Sequence, residues 1–290
     1  MTPDLVIVGN LLVDDLVYED GRTQMAQAGG ALLHAALGAT LWGARVGLVG
    51  IVGTDYPKAA LDTMTAKGIS LAGLYYLDGP GARVWLLYEN GTRRMIPWLG
   101  RPSHGDVSPL PEQVPAAYRA ARGVHVAPMP FGRQRAIAEA FGKGDRLVSI
   151  DPCERLSTET LPAFRALSPH IDVLFLSDDE IDLENKDEAL RTLVTGRTRY
   201  VLEKRGRHGG LVHDARESRP IAWDARQAHE IDPTGAGDAF AAAFMCALLE
   251  RLPLDRALAR AAATAAVAVE GVGAASLWDT TQADVSRRAG

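Results

Sequence analysis

Asp232-Pro233-Thr234-Gly235-Ala236-Gly237-Asp238-Ala239-Phe240 is the stretch on which the reading of this 290-residue chain turns. Three small residues, Gly235, Ala236 and Gly237, permit a tight turn that bulkier side chains obstruct. The run from Ala239 to Leu249 that follows has the apolar composition of a buried helix. A turn there leaves the backbone N–H groups of Ala236, Gly237 and Asp238 at a helix N-terminus, where the helix dipole also favours negative charge. The pattern predicts an anion hole. The Asp238 carboxylate beside it is placed to take a proton from a hydroxyl while the N–H groups stabilise charge on a transferring phosphoryl group. On these nine residues alone, a plain helix entry with a dipole-favouring aspartate stands as the alternative.

Outward from this turn, β-rich runs at residues 5–8, 46–49, 124–127, 147–150, 173–176, 200–202 and 211–213 alternate with helical candidates. The helices are expected at 31–42, 57–67, 133–141, 187–195, 236–250 and 254–270. Such alternation argues for an α/β fold with a largely parallel sheet flanked by helices. Segments at about 13–27 and 82–99 break the rhythm and read as antiparallel strands. In the second, Asn90-Gly91 supplies the positive φ angles of a tight hairpin turn. These segments form either a small β lid or an ordinary hairpin on the sheet edge, and residues 1–290 form one domain.

Composition narrows the function classes. A formal net charge of -5 offers no cationic field for a nucleic-acid backbone or an anionic membrane surface. The apolar helical stretches fall short of the roughly 20 residues that cross a bilayer. Cys153 and Cys246 lack the spacing of a zinc site or disulfide framework, and none of the seven histidines sits in a metal-ligand motif. Met1-Thr2-Pro3-Asp4 runs into an apolar strand without a basic leader, so a cytoplasmic setting is expected.

The nine residues resemble the C-terminal signature of the ribokinase-like, or PfkB, carbohydrate kinases. Further landmarks carry the resemblance along nearly the whole chain: Val8-Gly9-Asn10 with Asp14, Gly29-Gly30, the run Gly47 to Asp55, and Gly206 with Gly209. The resemblance implies a three-layer α/β/α fold with a central, mostly parallel sheet and a small β-strand lid. It also implies ATP with Mg2+ as phosphoryl donor, and admits a monovalent cation such as K+. In that frame Asp238 is the base, and Gly235, Ala236 and Gly237 form the anion hole. Asp14 is similar to the carboxylate that binds substrate hydroxyls, and Gly29-Gly30 to the pair that lets a sugar approach the backbone. Both fit elementary chemistry, since a carboxylate accepts from vicinal hydroxyls and glycine removes an obstructing Cβ. Asp15 is an equally acidic competitor for Asp14. Lys204, Gly206, Gly209, Asp232 and Thr234 fall at positions implied to meet the nucleotide. Glu180 and Ser177 are implied to organise the metal indirectly, through water.

Departures from the family pattern bear on the details. Ser177 replaces an asparagine, which leaves a hydroxyl to serve the water network. His34 stands where sugar kinases often carry asparagine, and Leu12 at a place that is polar in ribokinase. An imidazole still hydrogen-bonds and offers a flat face, so sugar, sugar phosphate, inositol and nucleoside acceptors all stay open, as does packing of His34 in the core. Asp151-Pro152-Cys153-Glu154-Arg155 partly resembles the family's Asp-Pro-Asn-x-Arg segment, with Cys153 read as a small buried residue. A dinucleotide-binding oxidoreductase is disfavoured because Gly47, Gly50 and Gly53 have GxxGxxG spacing, and a P-loop kinase because no GxxxxGK occurs. A noncatalytic sugar-binding relative on the same fold is the remaining alternative. The resemblance further implies a small-molecule partner and a homodimer formed through the lid.

Overall fold

The computed structural model describes residues 2–89 and 92–290. Its elements begin with β1 (Leu5–Val8), β2 (Leu12–Val17), β3 (Thr23–Gly29), α1 (Ala31–Thr40), β4 (Val46–Val52), α2 (Lys58–Ala66) and β5 (Ser70–Tyr76). They continue with β6 (Arg83–Glu89), β7 (Thr92–Pro97), β8 (Gly123–Val126), α3 (Phe131–Phe141), β9 (Leu147–Ile150), β10 (Leu156–Ser157) and α4 (Leu161–Arg165). Next come β11 (Val173–Ser177), β12 (Ile181–Asp182), α5 (Lys186–Leu193), β13 (Tyr200–Lys204), β14 (Gly210–Asp214) and β15 (Ile221–Trp223). The chain closes with α6 (Ala236–Leu249), α7 (Leu254–Ala268), α8 (Ala275–Asp279) and α9 (Gln282–Ala289).

The main sheet has the order β15-β14-β13-β11-β9-β8-β1-β4-β5 and is parallel from β13 to β5. The last two strands, β14 and β15, run antiparallel. Strand side chains alternate between faces, so a strand buried on both sides must be apolar throughout. In β1, Leu5 and Ile7 enter the core shared with α1, α6 and α7, while Val6 and Val8 enter the one shared with α3 and α5. Two helical layers therefore enclose the sheet, as the expected three-layer fold requires. The parallel strands end together on one edge, and Ser177, Lys204 and Asp151 leave the sheet there, at or just after their strand ends. Open α/β sheets bind ligands at that edge.

A separate sheet of order β3-β2-β6-β7 covers the same edge. Each hairpin is antiparallel, as expected, but β2 joins β6 in parallel. Leu12, Leu16, Val84 and Leu86 form a small core with Ile51 of β4 and with Val107. Arg83 donates to both carboxylate oxygens of Asp15, at 2.6 and 2.7 Å, and its guanidinium lies 4.5 Å from the Trp98 ring centroid. Trp98 stacks on Trp85, and Tyr88 on Tyr18. The Asn90-Gly91 turn lies outside the described residues. Strands β5, β10, β12 and β15 and helices α4, α8 and α9 are absent from the sequence expectation. β5 mixes small residues with the exposed Tyr75 and Tyr76, which blurs its alternation, and α9 is mostly polar.

Candidate active site

Helix α6 begins where expected, because Gly235 adopts φ 76°, a left-handed conformation that halts the extended chain ahead of the helix. A Cβ there would also stand 2.0 Å from the His34 ring. The Ala236 N–H is bonded to the Pro233 carbonyl at 3.3 Å, whereas those of Gly237 and Asp238 have no acceptor among the described residues. Those two groups make the unpaired part of the predicted anion hole. Asp238, in the first turn of α6, is partly accessible but ringed by protein. Burial, reinforced by the Asp151 charge and opposed by Lys204 and Arg93, lifts its carboxyl to about 7.

Lys204, at the end of β13, donates to Asp151 at 2.6 Å, and both are largely withdrawn from water. Burial opposes the Lys204 charge, yet Asp151 holds the ammonium above its usual range. At Asp151 burial outweighs its partner, and the carboxyl is raised. The Lys204 Nζ lies 3.1 Å from where a Gly237 Cβ would stand, so the lysine flanks the α6 N-terminus. Glu180 accepts from the Ser177 N–H at 2.9 Å, and its carboxyl is raised by burial. A cleft of about 760 Å³ opens from this cluster, with Ser177, Lys204, Gly206, Gly209 and Gly237 in its wall. Phe240, Trp223 and the small side chains of Ala262, Ala265 and Ala266 form its apolar side.

Asp14 is buried in β2. Burial raises its carboxyl to about 7, with Arg93 opposing and Asp232 and Asp15 adding to the rise. A Cβ at Gly29 would stand 1.9 Å from Asp14 Oδ2, so only glycine lets the carboxylate sit over that backbone. Asp15 is not a competing ligand, because Arg83 and the Ala26 N–H occupy it. The His34 ring is buried and its Nδ1 donates to the Gly30 carbonyl at 3.1 Å; burial keeps it neutral and leaves Nε2 without a partner.

The lid touches the signature directly. Tyr88 donates to Asp232 Oδ1 at 2.9 Å and Arg93 to Thr234 Oγ1 at 2.7 Å. Asp232 in turn accepts from the N–H groups of Thr234 and Gly273. Asp232 and Thr234 therefore meet the lid, and neither lines the 760 Å³ cleft. Sequence alone does not mark Tyr88 and Arg93 as site residues, since a β hairpin's sequence does not state where its side chains land. Asp151 is brought into the site, while Arg155 is exposed and 3.9 Å from Asp182. Cys153 is exposed rather than buried, its thiol donating to the Met129 carbonyl at 3.4 Å on the loop after β9. Among the described residues no three His, Cys, Asp or Glu side chains form a metal cage, and no helix is long and apolar enough to cross a membrane.

Residues 3–281 match the pfkB family carbohydrate kinase model. The chain is 30% identical over 261 residues to a cytidine kinase of Thermococcus kodakarensis, covering 87% of this chain and 91% of the relative. It is also 30% identical over 288 residues to an ATP-dependent ribose-1-phosphate kinase of Halopiger xanaduensis, covering 96% and 94%. Among solved structures, an Escherichia coli chain described as ribokinase II, in complex with ATP and Mg2+, superposes with a TM-score of 0.81. That match covers 99% of both chains at 18% identity, a likeness of fold.

Proposed function

This chain belongs to the pfkB family of carbohydrate kinases, and on that premise we propose that it moves a phosphoryl group from ATP to a hydroxyl of a small sugar, polyol or nucleoside, with Asp238 as the base. The observation that carries the reading is the position of Asp238. It sits in the first turn of α6 beside the unpaired Gly237 and Asp238 N–H groups, feels the charges of Lys204 and Asp151, and shares the Arg93 charge with Asp14.

The cleft suits a nucleotide donor. Its volume is that of a small-molecule site, its far wall is apolar, and its near wall offers Lys204 and backbone at Gly237. Glu180 and the serine hydroxyl beside it suit Mg2+ held through water, which needs only one or two carboxylates besides donor phosphates. When bound, ATP with Mg2+ supplies the phosphoryl group and part of the charge neutralisation that transfer needs.

The chain's own residues do the rest. Asp14 accepts hydrogen bonds from acceptor hydroxyls and fixes which one faces Asp238. Asp238, in its carboxylate form, takes the proton of that hydroxyl. The Gly237 and Asp238 N–H groups and Lys204 meet the negative charge that builds on the transferring oxygens. Arg93 adds a positive charge from the lid, close enough to both Asp14 and Asp238 to oppose their rise. His34 fills the space behind Gly235 and holds the turn.

A coupled assay of ADP release across sugars, polyols and nucleosides tests the reading. Turnover is expected to need both Mg2+ and an acceptor, and an Asp238→Asn protein that keeps near-wild-type turnover would refute the base. On the same reading a second copy pairs along the lid, whose edge strands β3 and β7 expose Met25, Met95 and Ile96. A monomer by analytical ultracentrifugation at assay concentration would refute that pairing.

A further inference from the structure

A second cavity, of about 460 Å³, lies beneath the lid between β3, α2 and α8. Its wall includes Asp14 but not Asp238, so it extends from the hydroxyl-binding carboxylate to one side of the transfer line. Whatever fills it is a substituent of the acceptor, not the reacting hydroxyl. Among the described residues three carboxylates, Asp14, Asp232 and Asp279, line it, and no lysine or arginine does. Arg93, the lid's cation at the site, is turned to Thr234 instead. A phosphate in this space would face like charges without a counter-ion, which disfavours a sugar phosphate.

Apart from Gln27 and Thr63, the rest of the wall is apolar and contains one flat surface, the half-buried ring of Trp278. Ala59, Ala60 and Ala274 line it too, and their small side chains leave room beside the ring. Gln27 lies in the wall as well; its Nε2 is committed to the Met25 carbonyl at 2.8 Å, which leaves Oε1 to accept a hydrogen bond. A planar, uncharged group with an N–H on its edge answers all these features. Resting on the kinase reading above, we propose that this cavity takes the base of a nucleoside whose sugar hydroxyls meet Asp14, so that the acceptor is a neutral nucleoside and not a sugar phosphate.

The test compares cytidine, inosine, ribose and ribose 1-phosphate as acceptors for the full chain with ATP and Mg2+. A nucleoside is expected to exceed ribose in kcat/KM by at least about tenfold, the worth of one aromatic stack, and ribose 1-phosphate to be poorer still. Trp278→Ala should lower kcat/KM for the nucleoside by about tenfold, mainly through KM, and leave ribose unchanged. Trp278→Phe, which keeps a ring, should retain the preference and guards against a folding defect in the alanine variant. Asp279→Lys should improve ribose 1-phosphate selectively. Ribose or ribose 1-phosphate as the preferred acceptor, or equal losses on cytidine and ribose in Trp278→Ala, would overturn the inference. Asp238-dependent turnover of ribose without a nucleoside preference would do so while leaving the kinase reading intact. No Asp238-dependent turnover of any acceptor would overturn both.

Discussion

Asp238 is held in a setting that opposes its own charge, which suits a base and burdens the fold. Burial raises it from 3.8 to about 7, so near neutrality it is poised to exchange a proton. Turnover should therefore rise with pH through about 7 and level off above, as a kcat/KM profile would reveal. Asp238→Asn keeps the N–H groups but removes the acceptor, so kcat is expected to fall by about 10² to 10⁴ with ATP binding retained, measured by steady-state kinetics and calorimetry. Stability should move the other way. A carboxyl whose folded pKa lies above its unfolded value binds its proton more tightly when folded, so it supports the fold below about 3.8 and loses that contribution as pH rises through about 7. Melting curves of Asp238→Asn and wild type should therefore diverge from pH 5 to pH 8, with the variant increasingly the more stable. Asp14, raised by burial to the same value, obeys the same sign.

At the scale of elements, the N-terminal turn of α6 depends on a partner some 200 positions away in the chain, the His34 ring of α1. Gly235→Ala meets both a positive φ and a 2.0 Å clash, and should cost roughly 2–4 kcal/mol along with a large loss of kcat. Adding His34→Ala should recover the clash component and leave about 1 kcal/mol for the backbone, a cycle readable by chemical denaturation. The α6 signature was legible in sequence because turn, charge and helix are local to nine residues. The role of His34 was not, since an imidazole on an apolar helix face reads equally as core or ligand until its neighbour is known. Lys204 was legible as a position but not as half of an ion pair, because Asp151 leaves a different strand. Glu180 holds the Ser177 N–H, an arrangement that a helix entry and a metal site share. Glu180→Gln keeps an acceptor for that N–H and removes the charge, so the Mg2+ concentration for half-maximal turnover should rise; an unchanged requirement would leave Glu180 a cap only.

Over the whole molecule, the lid and the main sheet meet at the site through both apolar and polar contacts. Leu12, Leu16, Val84 and Leu86 of the lid pack with Ile51 of β4 and with Val107, Val13 of β2 enters the main core, and Tyr88 and Arg93 bridge to Asp232 and Thr234 by hydrogen bonds. Parallel strands and their helices were readable from periodicity, and so was the existence of the outlying β segments. The way β2 and β6 join in parallel was not, because register between distant strands leaves no local pattern. The outer strands β3 and β7 are largely exposed, and a hydrogen bond such as that from Arg93 contributes only about 0.5–1.5 kcal/mol, so the outer part of the lid can loosen without unfolding the rest. Acceptor and donor together would bridge the two bodies through Asp14 on one side and the α6 N-terminus on the other. Hydrogen exchange at residues 84–87 and 93–96 should therefore slow when an acceptor and a nonhydrolysable ATP analogue are both present, and slow less with either alone. Removing the bridges with Tyr88→Phe and Arg93→Met should loosen closure and admit water, raising ATP hydrolysis relative to acceptor phosphorylation. Identical exchange with and without ligands, together with unaltered coupling in the double variant, would make the lid a fixed wall, and specificity would then rest on the shape of its inner face alone.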